Sequence, residues 1–257
     1  MLTRHQIDKM FPAGNPAWLG ALDALGPTLA AHYGYEDQEW RMLCGQIYAE
    51  TSGLALRNMR ENMRFTTAGR IREVYSYRLR LALERDSALR REYPTVSDLA
   101  AGLVGKPDLL ADIVYGGREG TPANEGHRYI GRGPTQITHL NNYRDILAEI
   151  RKQPGGSQCP DLLDHPEALE TPEWGVRSAF ADFAIKRMAR WSRAGDVDNV
   201  SSILNTGRPG NLKSVNGLGE RRRGFARAVG VWPLDQPIFG NDSEVVAEAP
   251  VEGVRPA

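Results

Sequence analysis

The chain has 257 residues, of which 41% are hydrophobic and 25% are charged, a composition typical of globular rather than disordered proteins. Lys plus Arg total 32, as do Asp plus Glu, and this zero net charge argues against a protein whose main task is binding nucleic acid. No stretch reaches the roughly 18 apolar residues of a membrane span, and two cysteines make neither a disulfide framework nor a zinc site.

The first part of the chain is predicted to be helical. Residues 3–6 match a capping box, Thr-x-x-Gln, which begins a short helix, and a second helical region lies within residues 14–34 between Gly and Pro residues. The N-terminus lacks the apolar segment of a secretory signal. We therefore expect synthesis in the cytoplasm, so that any export needs an outside agent.

The clearest helical pattern lies within residues 37–53, DQEWRMLCGQIYAETSG. Apolar side chains recur at the i, i+3, i+4, i+7 spacing of one helix face, namely Trp40, Leu43, Cys44 and Ile47. Glu50 comes next on this face, close to Gly53, where we expect the helix to end. Burial and the negative end of the helix dipole both disfavour an ionised carboxylate, so Glu50 is a candidate general acid. The alternative is a glutamate at a frayed helix end that faces water.

A second glutamate, Glu61, lies eleven residues farther along and is flanked by Arg60 and Arg64. Cationic neighbours favour the ionised carboxylate, which is the form that a general base needs. Two carboxyl groups in unlike settings, one protonated and one ionised, are the minimum for hydrolysing a glycosidic bond. The alternative is a surface glutamate that pairs with an arginine.

Positive charge is concentrated in residues 54–91, which contain ten arginines and four acidic residues. A locally positive face can attract an anionic polymer, whereas the alternative is a solvated helix face with ion pairs at i,i+4 spacing. Helix is predicted for residues 67–92, and two short helices are predicted within residues 94–117. The break between those two is expected at Gly105 and Pro107.

The composition changes at residues 116–138, GGREGTPANEGHRYIGRGPTQIT, which are rich in Gly and Pro. We predict a long loop there with a small hairpin. Helix is predicted again for residues 141–152, and a second loop for residues 153–166. Long loops in a compact domain usually carry function, so the first of these loops is a candidate part of a site.

The C-terminal part is predicted to contain three helices. The first has Thr171 as its N-cap and Pro172 at its first position, and the others lie within residues 196–207 and 218–230. The apolar face of the last helix is defined by Leu218, Phe225 and Val229. Arg222 lies on this predicted face, with Arg221 and Arg223 expected to point elsewhere.

A buried arginine such as the predicted Arg222 needs an acceptor, most often a carboxylate. The alternative is an arginine at the edge of the core whose head group reaches water. From Pro233 onward the chain is acidic and contains several prolines, and we expect residues 233–257 to form a flexible tail.

Several segments of the chain together resemble a known family. YIGRGPTQITHLNNY, residues 129–143, resembles the signature of glycoside hydrolase family 19, which includes chitinases and many phage endolysins. AETSGL and ENMRF resemble its His-Glu-Thr/Ser-Gly-Gly segment and the Glu-Asn-Leu-x-Tyr that follows. LADIVYGGREG, ILNTG and NGLGERRRGF resemble further segments in the same order. The resemblance covers residues 1–232, which would be the catalytic domain.

The resemblance implies an all-α, two-lobed, lysozyme-like fold with a small β-hairpin and a substrate cleft. It also implies an inverting mechanism, in which the two carboxyl groups stand roughly 6.5–9.5 Å apart to leave room for a water molecule. Glu50 matches the general acid, Glu61 the general base, and Thr138 the hydroxyl residue that helps to hold the water. The substrate-contacting residues would be Tyr129, Arg132, Gln136, Asn142 and Asn205. Arg222 matches the arginine that pairs with the acidic network.

The chain departs from the family pattern at three places. Ala49 stands where the family usually has the histidine before the acid, and Leu54 stands where it has the second glycine of a pair. Two more residues separate the glutamates than in short-loop members, which leaves another carboxylate, such as that of Glu73, as an alternative base.

Three functions are compatible with these features. The first is an endo-acting glycosidase of the endolysin or muramidase type, which cuts the glycan of bacterial peptidoglycan after release by a holin or a secretion system. The second is a chitinase, and the third is a non-catalytic glycan-binding protein on the same fold. We expect a monomer whose partner is a peptidoglycan or chitin-like glycan and not a nucleic acid. No metal or organic cofactor is expected, since two carboxyl groups and water suffice.

Overall fold

The computed structural model describes residues 2–56 and 59–239. Within them the chain forms twelve α-helices joined by loops and four short 3₁₀ helices. The α-helices are α1 (Arg4–Met10), α2 (Pro16–His32), α3 (Asp37–Glu50), α4 (Ala68–Arg85), α5 (Ser87–Glu92), α6 (Val96–Gly102), α7 (Pro107–Tyr115), α8 (Leu140–Ile150), α9 (Pro172–Ile185), α10 (Ala189–Arg193), α11 (Val197–Thr206) and α12 (Leu218–Val231). The 3₁₀ helices are Gly126–Tyr129, Gly156–Gln158, Pro166–Glu170 and Leu212–Ser214.

Several helix boundaries follow from local side-chain chemistry. The predicted capping box at Thr3 is confirmed, because its side chain accepts from Gln6 N while the Gln6 side chain accepts from the backbone of Thr3. The predicted helix of residues 67–92 is in fact two helices. Asp86 ends α4 and begins α5, and its carboxylate accepts from the backbone N–H groups of Ala88 and Leu89 at 2.8 and 3.0 Å.

The larger lobe is built around α3, whose predicted apolar face is confirmed as buried core. This helix packs most extensively against α12, and the two backbones approach closely at a pair of glycines. A Cβ atom at Gly224 would lie 2.3 Å from the carbonyl oxygen of Gly45, and one at Gly45 would lie 2.8 Å from the backbone of Phe225. Only glycine at both positions permits this contact.

The smaller lobe is built from α4, α6 and α7. The buried residues of α4 recur every four residues, as expected for one helix face, and are Ile71, Tyr75, Leu79 and Leu83. They pack against apolar residues of α6 and α7, including Leu99, Leu110 and Val114. A third apolar cluster, centred on Tyr143 and Ile150 of α8, lies beneath the loop of residues 129–139.

The predicted small hairpin consists of single bridges rather than extended strands in the part of the chain that the structure describes. Arg132 pairs with Ile137 across a tight turn, with N···O distances of 3.0 and 2.8 Å. Arg132 also pairs with Arg60, so the segment that carries Glu61 runs alongside this loop. Glu61 N donates to Gly131 O at 2.8 Å.

The sequence predicted that the flexible tail begins at Pro233, but the structure packs residues 233–239 against α3. Arg41 of α3 donates to the carbonyl oxygens of Trp232, Pro233 and Gln236, while the Asp37 carboxylate accepts from the backbone N–H groups that follow, those of residues 238 and 239. Residues 233–239 therefore belong to the body of the domain, because two charged side chains of α3 bind their backbone. The rest of the predicted tail, residues 240–257, lies outside the described residues. Nowhere in the described chain does a helix combine the length and the apolar character needed to cross a membrane.

Candidate active site

Two grooves meet between the lobes, and Glu50 and Gln136 line both of them. The larger groove has a volume of about 1010 Å³ and also contains Glu61, while the smaller has a volume of about 400 Å³ and contains Asn205. The structure therefore brings together both predicted catalytic carboxylates and two of the predicted substrate-binding amides.

Glu50 is the last residue of α3, so the helix ends three residues before Gly53, where the sequence predicted its end. Thr51 closes the helix end, because its hydroxyl donates to Ile47 O at 2.6 Å and accepts from Leu54 N at 2.7 Å. The turn that follows has positive φ angles at Ser52 (51°) and Leu54 (58°), where a non-glycine residue is strained. Leu54 thus adopts the backbone conformation that glycine prefers at the position where the family pattern has glycine.

The immediate partner of Glu50 is Arg221 of α12, and the side chains of the two residues are 20% and 4% exposed. Arg221 also donates to Gln46 Oε1 at 2.7 Å, and Gln46 Nε2 donates to Ser201 Oγ at 3.1 Å. A guanidinium stabilises an ionised carboxylate, which is opposite to the effect of burial and of the helix end. The surroundings of Glu50 therefore contain a cation that the apolar helix pattern did not reveal.

The prediction that Arg222 is the buried arginine is wrong by one residue. Its side chain is 54% exposed and forms a surface ion pair with Asp198 at 2.6 Å. The buried positions of α12 are Arg221, Gly224 and Ala228. The close backbone contact at Gly224 turns this side of α12 toward α3, so Arg221 points inward one turn earlier. The predicted role, an arginine that pairs with the catalytic carboxyl, belongs to Arg221.

Glu61 is bound by tyrosine hydroxyls and not by its neighbours in sequence. Tyr115 donates to its two carboxylate oxygens at 2.7 and 2.8 Å, Tyr75 donates at 3.0 Å, and Gly131 N donates at 3.4 Å. Burial, followed by the nearby Glu61 charge, raises the pKa of both tyrosines above the usual value, so both remain protonated donors at physiological pH. Among the described residues no arginine forms an ion pair with Glu61, so the alternative of a surface glutamate paired with an arginine is not what the structure shows there.

The loop of residues 129–139 brings Gln136 next to Glu61. A Cβ atom at Gly131 would lie 2.7 Å from Gln136 Oε1 and 3.5 Å from Glu61 Cβ, so glycine is required for this approach. Gln136 has a φ of 55°, and its Nε2 donates to Gly133 O at 3.0 Å. Its predicted position in the cleft agrees with the structure, while its contact with substrate stays a prediction.

Thr138 lies within the loop and Asn142 lies in the first turn of α8, and neither residue lines a groove. The Thr138 hydroxyl donates to Gln136 O at 2.9 Å, and Asn142 Nδ2 donates to Thr138 O at 2.6 Å. Their assigned roles in holding water and substrate therefore stay predictions. Asn205 lines the smaller groove, where its Oδ1 accepts from Asn216 N at 3.1 Å.

The prediction that Tyr129 and Arg132 line the cleft is wrong, since they are 3% and 4% exposed. Tyr129 donates to Leu163 O at 2.9 Å, and Arg132 donates to Glu170 at 2.7 Å and to the Tyr143 hydroxyl at 3.0 Å. Both side chains point beneath the loop and hold its backbone in place. Their part in the site is to position Gly131 and Gln136.

Sequence reasoning missed several residues of the site. Tyr75 fits the apolar repeat of α4, and Tyr115 ends an apolar helix, so both read as core residues until the fold brings Glu61 to their hydroxyls. His127 also lines the larger groove, and its Nδ1 lies 2.8 Å from Asp112 Oδ1, which fixes the ring. A polar residue within an apolar repeat was the only available signal for Tyr75.

Strained backbone is concentrated around this site. Within the described residues, six non-glycine residues have positive φ, and four of them flank the grooves, namely Ser52, Leu54, Gln136 and His139. Strain of this kind persists only where the surroundings enforce it, and it is common at functional sites. The described residues contain no group of three or more His, Cys, Asp or Glu side chains placed to hold a metal ion.

No protein-family model and no curated protein matches the chain. Several solved structures resemble it. In two of them, the match includes 93% of this chain and 79% of the other chain. The first is a mutant of chitinase C, with 17% identity and a TM-score of 0.50. The second is chitinase C from Streptomyces griseus HUT6037, with 18% identity and a TM-score of 0.42. The predicted fold class is confirmed: the chain has the mainly α-helical, lysozyme-like fold seen in the first of these structures.

Proposed function

We propose that the protein is an endo-acting, inverting glycosidase that hydrolyses the glycan strands of bacterial peptidoglycan. The observation that carries this proposal is the pair of carboxyl groups in the larger groove, which have different partners. Glu50 comes from the larger lobe and contacts Arg221, while Glu61 faces the smaller lobe and accepts from Tyr75 and Tyr115. Unlike environments are what allow two carboxyl groups to act as acid and base.

In the proposed reaction, protonated Glu50 donates its proton to the glycosidic oxygen as the bond to the sugar carbon breaks. Glu61, as the carboxylate, accepts a proton from the water that attacks the same carbon on the opposite face. Arg221 then stabilises the carboxylate that forms at Glu50, and the hydroxyls of Tyr75 and Tyr115 keep Glu61 aimed at the water. Gln136 and Asn205 would contact sugar hydroxyl and acetamido groups.

Peptidoglycan is favoured over chitin by two arginines of the groove, whose lining also includes the acidic Glu50, Glu61 and Asp108. Arg60 and Arg64 line it, and peptidoglycan carries carboxylates, whereas chitin is neutral. The alternative, a chitinase, is supported by the likeness of the fold to that of a chitinase C mutant. A non-catalytic glycan-binding protein is the third candidate, supported by the absence of the histidine that usually precedes the acid. In our proposal a monomer reaches the wall after release through a holin or a secretion system.

A side-by-side digest of purified sacculi and chitin hexamer tests this function. Products are read by mass spectrometry after borohydride reduction, with Glu50→Gln as the control. New reducing N-acetylmuramic acid ends that are absent with the variant would establish a muramidase. Short chito-oligomers with intact sacculi would make the protein a chitinase, and no product from either substrate would favour the binding protein.

The assignment of the base has its own matched control. Glu61→Gln should lower turnover by about 10²–10⁴-fold, the usual contribution of a general base. Glu73, the alternative base, is exposed on α4 and pairs with Arg70 at 2.6 Å, so Glu73→Gln should leave turnover unchanged. The opposite result, with Glu73→Gln inactive and Glu61→Gln active, would reverse the assignment.

A further inference from the structure

We infer that Arg60 and Arg64 form a carboxylate-binding subsite of the larger groove, which recognises the anionic substituent on the muramic acid of the glycan. The inference rests on the proposed function and extends it, because it names the part of the substrate that the groove reads beside the sugar chain. Both arginines line the groove that holds Glu50 and Glu61, and both are exposed.

The segment that carries the two arginines has alternating burial. Met59 and Met63 are buried and Glu61 is half-buried, whereas Arg60 and Arg64 are exposed. Such alternation is typical of an extended chain, in which successive side chains point to opposite sides. The arginines thus lie on the exposed side of the segment, while the half-buried Glu61 contacts the tyrosines and also lines the groove.

The backbone holds this segment in place at both ends. Near Arg60, Gly133 N donates to Met59 O at 2.8 Å, in the same pairing that aligns Glu61 with Gly131. Near Arg64, Gly105 N donates to Phe65 O at 3.1 Å, and Arg64 N donates to Asn62 Oδ1 at 2.9 Å. The guanidinium groups thus extend from a fixed backbone, which lowers the entropic cost of binding a ligand.

Within the described residues, neither guanidinium has a carboxylate within 4.0 Å. Two other arginines of the positive stretch are already engaged, since Arg70 pairs with Glu73 and Arg72 donates to Ser97 at 3.0 Å. Asp108 also lines the groove, but the structure places it beyond ion-pair distance of both arginines. The groove therefore offers two guanidinium groups whose donors are available to a ligand.

A carboxylate is the anion that matches this chemistry, because a guanidinium presents parallel N–H donors that fit its two oxygens. In peptidoglycan the carboxylates lie on the substituent of muramic acid. They belong to the stem peptide in the intact polymer and to the lactyl group once the peptide has been removed. Chitin has neither, so this subsite would separate the two candidate substrates.

The test measures binding of a Glu50→Gln parent to intact sacculi, to sacculi whose carboxylates have been amidated, and to strands from which an amidase has removed the peptides. Arg60→Gln plus Arg64→Gln is added to this parent. The matched control is Arg80→Gln plus Arg90→Gln, which removes the same charge from two exposed residues that do not line the groove.

We expect the groove pair to weaken binding to intact sacculi by about tenfold, as two exposed ion pairs allow, and to leave binding to amidated sacculi unchanged. Loss of this effect with stripped strands would show that the subsite binds only stem-peptide carboxylates, and its persistence would show that it also binds the lactyl carboxylate. The inference is overturned if the groove pair weakens binding no more than the control pair, or equally on amidated sacculi.

The proposed glycosidase activity and the proposed arginine subsite can each be overturned without the other. Cleavage of sacculi by the unmodified protein, with no difference between the arginine variants, would remove the subsite and keep the glycosidase. Binding that depends on Arg60, Arg64 and substrate carboxylates, without any cleavage by the unmodified protein, would keep the subsite and remove the glycosidase.

Discussion

Arg221 is the residue on which the geometry of the acid depends, because it contacts both Glu50 and Gln46 from a position that is almost fully buried. Glu61 depends in the same way on the hydroxyls of Tyr75 and Tyr115. Each candidate catalytic carboxylate is thus held by side chains from distant parts of the chain. Under the proposed mechanism, a substitution at one of these partners should change turnover by moving the carboxylate.

Arg221→Gln should lower turnover at least tenfold, because Glu50 loses the cation that stabilises its carboxylate after proton transfer. Leaving buried polar groups without a partner should also lower the free energy of unfolding by about 1–3 kcal/mol. Arg222→Gln is the control, since its exposed pair with Asp198 contributes about 1 kcal/mol or less. Kinetics are measured below the melting temperature of both variants. Equal turnover in the two would contradict the assignment.

Tyr115→Phe should lower kcat and leave KM nearly unchanged, because the hydroxyl orients Glu61 and does not line the groove. Tyr77→Phe, at a tyrosine that is 62% exposed on α4, should change neither quantity. An unaltered kcat in Tyr115→Phe would show that the hydroxyl does not orient Glu61 for the reaction.

At the scale of elements, the contact between α3 and α12 positions the acid and its arginine together. The close approach at Gly45 and Gly224 lies one turn from Arg221, so the spacing of the two helices sets the reach of the guanidinium. The packing of α3 against α12 therefore determines whether Arg221 can reach Glu50. Adding a methyl group at one of these glycines tests the contact.

Gly224→Ala should lower the free energy of unfolding by about 1–3 kcal/mol, because its Cβ would meet backbone that cannot move aside without shifting the helix. Turnover should fall with it, since Arg221 moves away from Glu50. Gly230→Ala lies on the same helix with nothing within 4 Å of the added Cβ, and it should raise stability by roughly 0.5–1 kcal/mol. Denaturant unfolding measures both, and a stable, active Gly224→Ala would show that the helices can separate at no cost.

The sequence predicted elements better than it predicted side-chain partners. Periodicity located the buried face of α3, and the family resemblance located Glu50, Glu61 and Gln136 in one cleft. The inward side of α12 was missed by one residue, because Leu218 and Val229 suggested a face that the Gly224 contact overrides. Tyr115 could not be assigned to Glu61, because 54 residues separate them in sequence and only the fold brings them together.

At the scale of the whole molecule, the two lobes are joined through the loop that carries Gln136, and the larger lobe is closed by residues 233–239. Ile238 is 2% exposed, and the ring of Phe239 meets Trp40 edge-on at 5.6 Å. The sequence did not predict this closure, because acidic, Pro-containing composition resembles that of a loose tail. The carbonyl groups that Arg41 binds have no signature in the sequence.

Truncation after Trp232 should lower the free energy of unfolding by about 2–4 kcal/mol, because it removes the burial of Ile238 and two acceptors of Arg41. Truncation after Phe239 keeps every one of these contacts and should leave the melting temperature unchanged. Thermal unfolding of both chains checks this. A Trp232 truncation as stable as the full chain would show that the segment adds nothing to the fold.

The most direct test of the central claim is the proton NMR spectrum of the first product released from a β-1,4-linked glycan, recorded before the new reducing end equilibrates. Muropeptide-bearing strands and chitin hexamer are compared, with Glu50→Gln and Glu61→Gln as controls. Inverting hydrolysis by this pair predicts that the α-anomer forms first, that Glu50→Gln yields none, and that Glu61→Gln yields product about 10²–10⁴-fold more slowly. A β-anomer formed first, or unchanged product from either variant, would contradict the account.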